Sequence, residues 1–122
     1  MKKNKIFSFE ERSKSFKYAF DGIKTFFKEE HNARIHLAAT IAVIGLSFIF
    51  PVSRMEAIAL TFAAGFVWIA EIFNTAIEKM ADFISTEKSP AIKTIKDLSA
   101  AAVLIAALIA VITACFIFIP KF

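Results

Sequence analysis

The sequence predicts an all-α integral-membrane protein: an N-terminal amphipathic helix lying at the membrane surface, then three transmembrane helices. Three observations predict it. Of the 122 residues, 57% are hydrophobic and 21% are charged, a mixture that works only if the two kinds are segregated along the chain. They are segregated: Ala57–Ala70 and Leu98–Ile119 carry no charge, and Ile35–Phe50 is interrupted only by His36, Thr40 and Ser47. Leu98–Ile119 alone passes the ~20 residues a helix needs to cross a bilayer, and the other two reach that length with their flanks. Three such helices in one small domain leave too little polar surface to cover them in water.

The first element is expected over residues 8–30. Ser8 followed by Glu11 is a capping-box pattern, and Phe16, Phe20, Ile23 and Phe27 then recur at helical spacing. Lys14, Lys17, Lys24 and Lys28 occupy much of the remaining surface, as in a helix that lies on anionic headgroups. The same stripe packed on the bundle is the alternative. The spans are expected at 33–50, 56–83 and 97–119, the first extended by Ala33 and the snorkelling stem of Arg34. Small residues in the third span (Ala100, Ala101, Ala102, Ala106, Ala107, Ala110 and Ala114) point to tight helix packing. Cys115 is a packing residue there, so no disulfide is expected. The first apolar run starts too late for a cleavable signal peptide.

Charge sets the orientation. Nine of the fifteen basic residues lie within Met1–Arg34: Lys2, Lys3, Lys5, Arg12, Lys14, Lys17, Lys24, Lys28 and Arg34. Lys79, Lys88, Lys93 and Lys96 follow the second span, whereas the 51–55 turn has only Arg54 and the C-terminus only Lys121. Positive residues stay cytoplasmic, which places the N-terminus and the 79–97 loop inside. Every acid but Glu56 lies on that side.

The informative stretch is WIAEIFNTAIEKMADFI, Trp68–Ile84, where carboxylates follow directly on an apolar run. At 100° per residue, Glu78 and Asp82 fall about 20° to either side of Glu71, with Asn74 about 60° away. All four share one face. Glu71 lies about one and a half turns inside the hydrocarbon boundary, and Glu78 and Asp82 emerge beyond it. A carboxylate at that depth costs about 2.5–3.5 kcal/mol, so it must face protein or water. It acts either as polar glue between helices or as part of a site. The stripe suits a reaction between a membrane-embedded alcohol and a polar cytoplasmic reagent, with Glu71 taking the proton and Glu78 holding a metal. Glu29 and Glu30, at the same level, would complete a Mg²⁺ site with Glu78. Lys96 and Asp97 are placed to meet a phosphate chain and its metal. Three glycines (Gly22, Gly45, Gly65) and no GxxxxGK leave no phosphate-binding glycine loop. His31, His36 and Glu30 are not at a zinc spacing; the histidines are expected to be interfacial polar residues.

The order ExxNTAIE (Glu71, Asn74, Thr75, Ala76, Ile77, Glu78), then Asp82, then KDLSAAAVL (Lys96–Leu104) strongly resembles the small bacterial integral-membrane lipid kinases, prokaryotic diacylglycerol kinase and undecaprenol kinase. The resemblance runs from Phe16 to the terminal IPKF. It implies a surface helix plus three transmembrane helices assembled as a homotrimer with shared active sites, in the bacterial inner membrane. It also implies transfer of phosphate from Mg-ATP to a lipid alcohol, with no nucleic-acid partner. By this resemblance Glu71 matches the catalytic base and contacts the lipid, and Glu30 and Glu78 match the metal-binding carboxylates. Tyr18, Glu30, Asn74, Glu78, Lys96 and Asp97 match nucleotide-site positions, joined by Glu87 and Lys88 in the STEKSP loop. Arg12 is the candidate for a substrate-binding arginine, one residue out of register. NTAIE, EHNARIH and the terminal PKF lean toward the undecaprenol branch. From another class, a cation-coupled transporter or channel using the acidic stripe is the rival, although its acids would spread through the membrane depth.

Overall fold

The computed structural model describes residues 8–122; Lys2, Lys3 and Lys5 of the charge argument lie outside them. Four α-helices follow in order: α1 (Phe9–Glu29), α2 (His31–Ile49), α3 (Arg54–Ile84) and α4 (Pro90–Phe118), closed by a 3₁₀ turn over Ile119–Lys121. The last three are each long and apolar enough to cross a membrane.

Local chemistry explains each boundary. The Ser8 hydroxyl accepts the Glu11 N–H at 3.3 Å and starts α1. Glu30, in extended backbone, is a single-residue hinge: its N–H closes α1 on the Phe26 carbonyl, and α2 begins at the next residue. No glycine or proline marks this break. The change from an amphipathic to a uniformly apolar pattern does. Pro51 ends α2 by denying the next helical N–H, and Ser53 with Glu56 forms a full capping box that starts α3. Helix α4 begins earlier than the expected span at 97. The Ser89 hydroxyl accepts the Ile92 N–H at 3.2 Å, and Pro90 occupies the first turn, the most favourable position for proline in a helix. The added turns carry Lys93 and Lys96 on helix rather than loop.

Helices α3 and α4 form the main antiparallel pair, and α2 runs antiparallel to α3 while also meeting α4. Away from the acidic stripe, Leu60, Ile117 and Phe118 form a core with Val43, Leu46, Phe50, Val52 and Ala114. There the Phe50 and Phe122 rings stack edge-on at 4.8 Å, and Lys121 pairs with Glu56 at 3.2 Å. Elsewhere the large apolar side chains point outward: Phe48 is 87% exposed and Phe116 78%. An apolar surface on this scale fits lipid and not water. At ~1.5 Å per residue, α3 is about 46 Å long against a ~30 Å hydrocarbon core, so one end must leave it. The stripe on α1 divides: Phe16, Phe20 and Ile23 stay exposed, while Phe26 is buried and Phe27 half-buried against Trp68.

Candidate active site

The face of α3 that carries the acids lies between α2 and α4, with Glu71 partnered by α2 and Asp82 by α4. Glu71 is 2% exposed. Its Oε2 sits 2.5 Å from His36 Nε2 on α2, while its Oε1 is fully buried with no hydrogen-bond partner. One helical turn further, the Thr75 hydroxyl lies 3.0 Å from the Glu71 carbonyl oxygen and 3.3 Å from Glu30 Oε1, so its one proton is shared between them. Asn74 Oδ1 accepts the hydroxyl of Ser99 on α4 at 2.6 Å, and Ser99 is itself buried. Glu78 is half-buried and within electrostatic reach of Lys96. Asp82 is exposed and accepts from Lys96 Nζ at 2.6 Å. Burial therefore falls along the stripe, as expected of a helix leaving the membrane.

Aromatic packing fixes the α2 side. The Trp68 indole N–H donates to the Thr40 hydroxyl at 3.0 Å, and Thr40 donates to the His36 carbonyl at 2.8 Å. Phe26, Phe27 and His36 surround the Trp68 ring with centroid separations of 6.1, 5.5 and 6.4 Å. From His36 and Trp68 an apolar groove of about 280 Å³ runs between the helices, walled by alanines such as Ala39, Ala63, Ala107 and Ala110.

Beyond Asp82, the 85–97 segment encloses a cleft of about 650 Å³ lined by Asp82, Glu87, Lys88, Lys93, Lys96 and Asp97. Four residues assigned to nucleotide contacts (Glu87, Lys88, Lys96 and Asp97) thus meet in one place. Within it Lys93 pairs with Asp97 at 2.6 Å, leaving Lys96 to Asp82. Lys79 donates to Glu29, which ties the end of α1 to α3. This hydrogen bond and the lysine charge hold the Glu29 carboxyl below its ordinary value.

Not every expected residue comes to this end of the chain. Tyr18 and Arg12 remain on α1, about 18 and 27 Å from Glu30 by helical rise, with Tyr18 two-thirds exposed. Among the described residues, no three of His, Cys, Asp and Glu are close enough to hold a metal by themselves. His36, expected as an interfacial polar group, is instead half-buried against Glu71. Its signal in the sequence was a histidine within an apolar run, which must find a polar partner. Ser99 and Thr75 were missed because nothing in their local pattern names a partner on another helix.

A buried carboxylate and, further along the same helix, a lysine-lined cleft are carried by helices long and apolar enough to cross a membrane. Residues 17–118 match the sequence model of prokaryotic diacylglycerol kinase. The chain is 36% identical over 108 residues to the undecaprenol kinase of Bacillus subtilis, covering 88% of each protein. It is 32% identical to the diacylglycerol kinase of Haemophilus influenzae, over 75% of this chain and 78% of that one. To the diacylglycerol kinase of Escherichia coli it is 32% identical over 80% of each. The chain belongs to the prokaryotic diacylglycerol kinase family and is, by that membership, a lipid kinase.

Proposed function

We propose that the protein transfers the γ-phosphoryl group of ATP to the hydroxyl of a membrane lipid alcohol at the cytoplasmic interface, and that undecaprenol rather than diacylglycerol is the acceptor. The observation that carries the reaction is Glu71: buried, held through one oxygen, with the other oxygen unsatisfied. An unpaired buried carboxylate oxygen is costly, and a hydroxyl proton is the donor it lacks. The lean toward undecaprenol rests on the NTAIE and PKF marks and on similarity to the B. subtilis enzyme over most of both chains.

In this reading Glu71 accepts the proton of the lipid hydroxyl. The hydroxyl oxygen bonds to the γ-phosphorus as the bond from that phosphorus to the bridging oxygen breaks, and ADP leaves. Lys88, Lys93 and Lys96 line the cleft that would take the phosphates, with Lys96 oriented by Asp82. Asn74, whose Oδ1 accepts from Ser99, has its amide N–H groups left to donate to a ligand. Glu30 and Glu78 suit Mg²⁺ chemically: they are hard carboxylate donors, and the ion commonly takes one or two carboxylates with substrate phosphates. Bound there, the ion would neutralise phosphate charge. The N-terminus faces the cytoplasm, α1 lies at the inner surface of the bacterial cytoplasmic membrane, and three copies assemble into a homotrimer that brings Tyr18 and Arg12 to sites on neighbouring chains.

The test is phosphate incorporation from labelled ATP in mixed micelles, with undecaprenol and diacylglycerol offered separately. Undecaprenol labelling is expected to dominate, and Glu71→Gln to lower kcat by about 10²–10⁴-fold while assembly is preserved. Preferential labelling of diacylglycerol overturns the acceptor assignment. Wild-type turnover in Glu71→Gln overturns the base.

A further inference from the structure

We infer that His36 is a positioning residue for Glu71: its Nε2–H donates to Oε2, fixes the carboxylate plane, and leaves Oε1 as the only oxygen able to take the lipid proton. The inference rests on Glu71 being the base. A base must be unprotonated before it acts, so the proton in the 2.5 Å His36–Glu71 contact belongs to the histidine. Thr75 touches only the backbone carbonyl of Glu71, so among the described residues no other side chain binds the carboxylate.

The histidine is itself fixed. Its carbonyl takes the Thr40 hydroxyl, Thr40 takes the Trp68 indole, and Trp68 is wedged by Phe26 and Phe27. This linkage returns to α3, since Trp68 precedes Glu71 by about one turn. Helices α2 and α3 are therefore joined by two side-chain bonds about one turn apart, His36–Glu71 and Thr40–Trp68. His36 also stands at the polar end of the alanine-walled groove, where Trp68 and Val67 share the wall. An alcohol whose chain lay along that groove would meet the imidazole beside the carboxylate. An acid group without such a clamp rotates about its terminal torsion, which is broad, and a displacement of ~1 Å in a reacting group costs about 10²-fold in rate.

Two substitutions separate positioning from packing. Leucine fills the site beside Trp68 but donates nothing, whereas glutamine places an N–H donor at nearly the reach of Nε2. Per folded enzyme, His36→Leu is expected to lose about 100-fold in kcat with KM for ATP unchanged, and His36→Gln to stay within about tenfold of wild type. A packing role predicts the opposite order. If both variants fall equally, or His36→Leu keeps wild-type kcat while Glu71→Gln is inactive, this inference fails and the base assignment stands. If Glu71→Gln is fully active, the base assignment fails first. A second measurement uses the wild-type chain. With ¹⁵N-labelled histidine, the His36 Nε2–H proton is expected far downfield, moving upfield in Glu71→Gln. An unprotonated Nε2, or a resonance indifferent to that change, overturns the inference whatever the kinetics.

Discussion

Three residues of the acidic stripe are held from neighbouring helices, Glu71 by His36 on α2 and Asn74 and Asp82 by Ser99 and Lys96 on α4, and this sets what single substitutions do. Asn74 and Ser99 join α3 to α4 through one 2.6 Å hydrogen bond. Inter-helix bonds of this kind contribute about 0.6 kcal/mol on average and reach ~1.7. A double-mutant cycle on Asn74→Ala and Ser99→Ala, read by thermal unfolding in micelles, is expected to show a coupling energy within that range. A zero coupling would mean that the bond is replaced by another in each single variant. The stripe was legible in the sequence because Glu71, Asn74, Glu78 and Asp82 obey the helical period. Their partners were not, because Glu71 meets a residue 35 positions away and Asn74 one 25 positions away. Both readings of Glu71, polar glue and active-site carboxylate, find an atom: Oε2 binds a neighbouring helix, and Oε1 has no hydrogen-bond partner, the oxygen that the proposed reaction uses.

The start of α1 was legible because a capping side chain, Ser8, announces it; Pro51 and Ser53 act in the same way at the α2–α3 turn. The third span is expected only from residue 97, at the edge of the uncharged run, whereas α4 starts at Pro90. The Ser89–Pro90 pair governs instead: a cap outweighs a few exposed charges in deciding where a helix begins. Ser89→Ala is expected to destabilise that first turn by about 1 kcal/mol. Because this turn walls the lysine-lined cleft, KM for ATP should rise more than kcat falls, which initial-rate kinetics over an ATP series would check. Beside the Phe26 and Phe27 packing on Trp68, α1 and α3 share one ionic, pH-dependent contact, Glu29–Lys79. Glu29 is held below its ordinary value of 4.5 by Lys79. A lowered carboxyl contributes stability above its unfolded value and loses it as pH falls through the folded one. The difference in melting temperature between wild type and Glu29→Gln is therefore expected to be full near pH 7 and to vanish on acidification below ~4.5. The pair is exposed, so the difference should be small and shrink with added salt.

For the whole molecule, three apolar helices were plain from composition and from the uncharged runs, and they are found. The disposition of α1 was harder, because an amphipathic stripe serves a membrane surface and a bundle equally well. The structure divides it, with Phe26 and Phe27 packed on Trp68 and Phe16, Phe20 and Ile23 left outward. Orientation is a matter of charge, and single cysteines introduced into a Cys115→Ala background would test it. A cysteine at Lys88 is expected to react with an impermeant maleimide only after the cells are opened, and one at Arg54 without opening. The reverse labelling would invert the topology and place the cleft on the wrong side for cellular ATP.

The order of the helices along the chain has a consequence for biogenesis. A ribosome delivers α2 first, so His36 is already in the bilayer when α3 brings Glu71 behind it. A lone carboxylate entering lipid costs about 2.5–3.5 kcal/mol, but a partner 2.5 Å away can meet it on arrival. The hairpin of α2 and α3 is thus the smallest unit that enters the membrane with its acid paired through one oxygen, and loss of His36 would be felt at the insertion machinery before any substrate is bound.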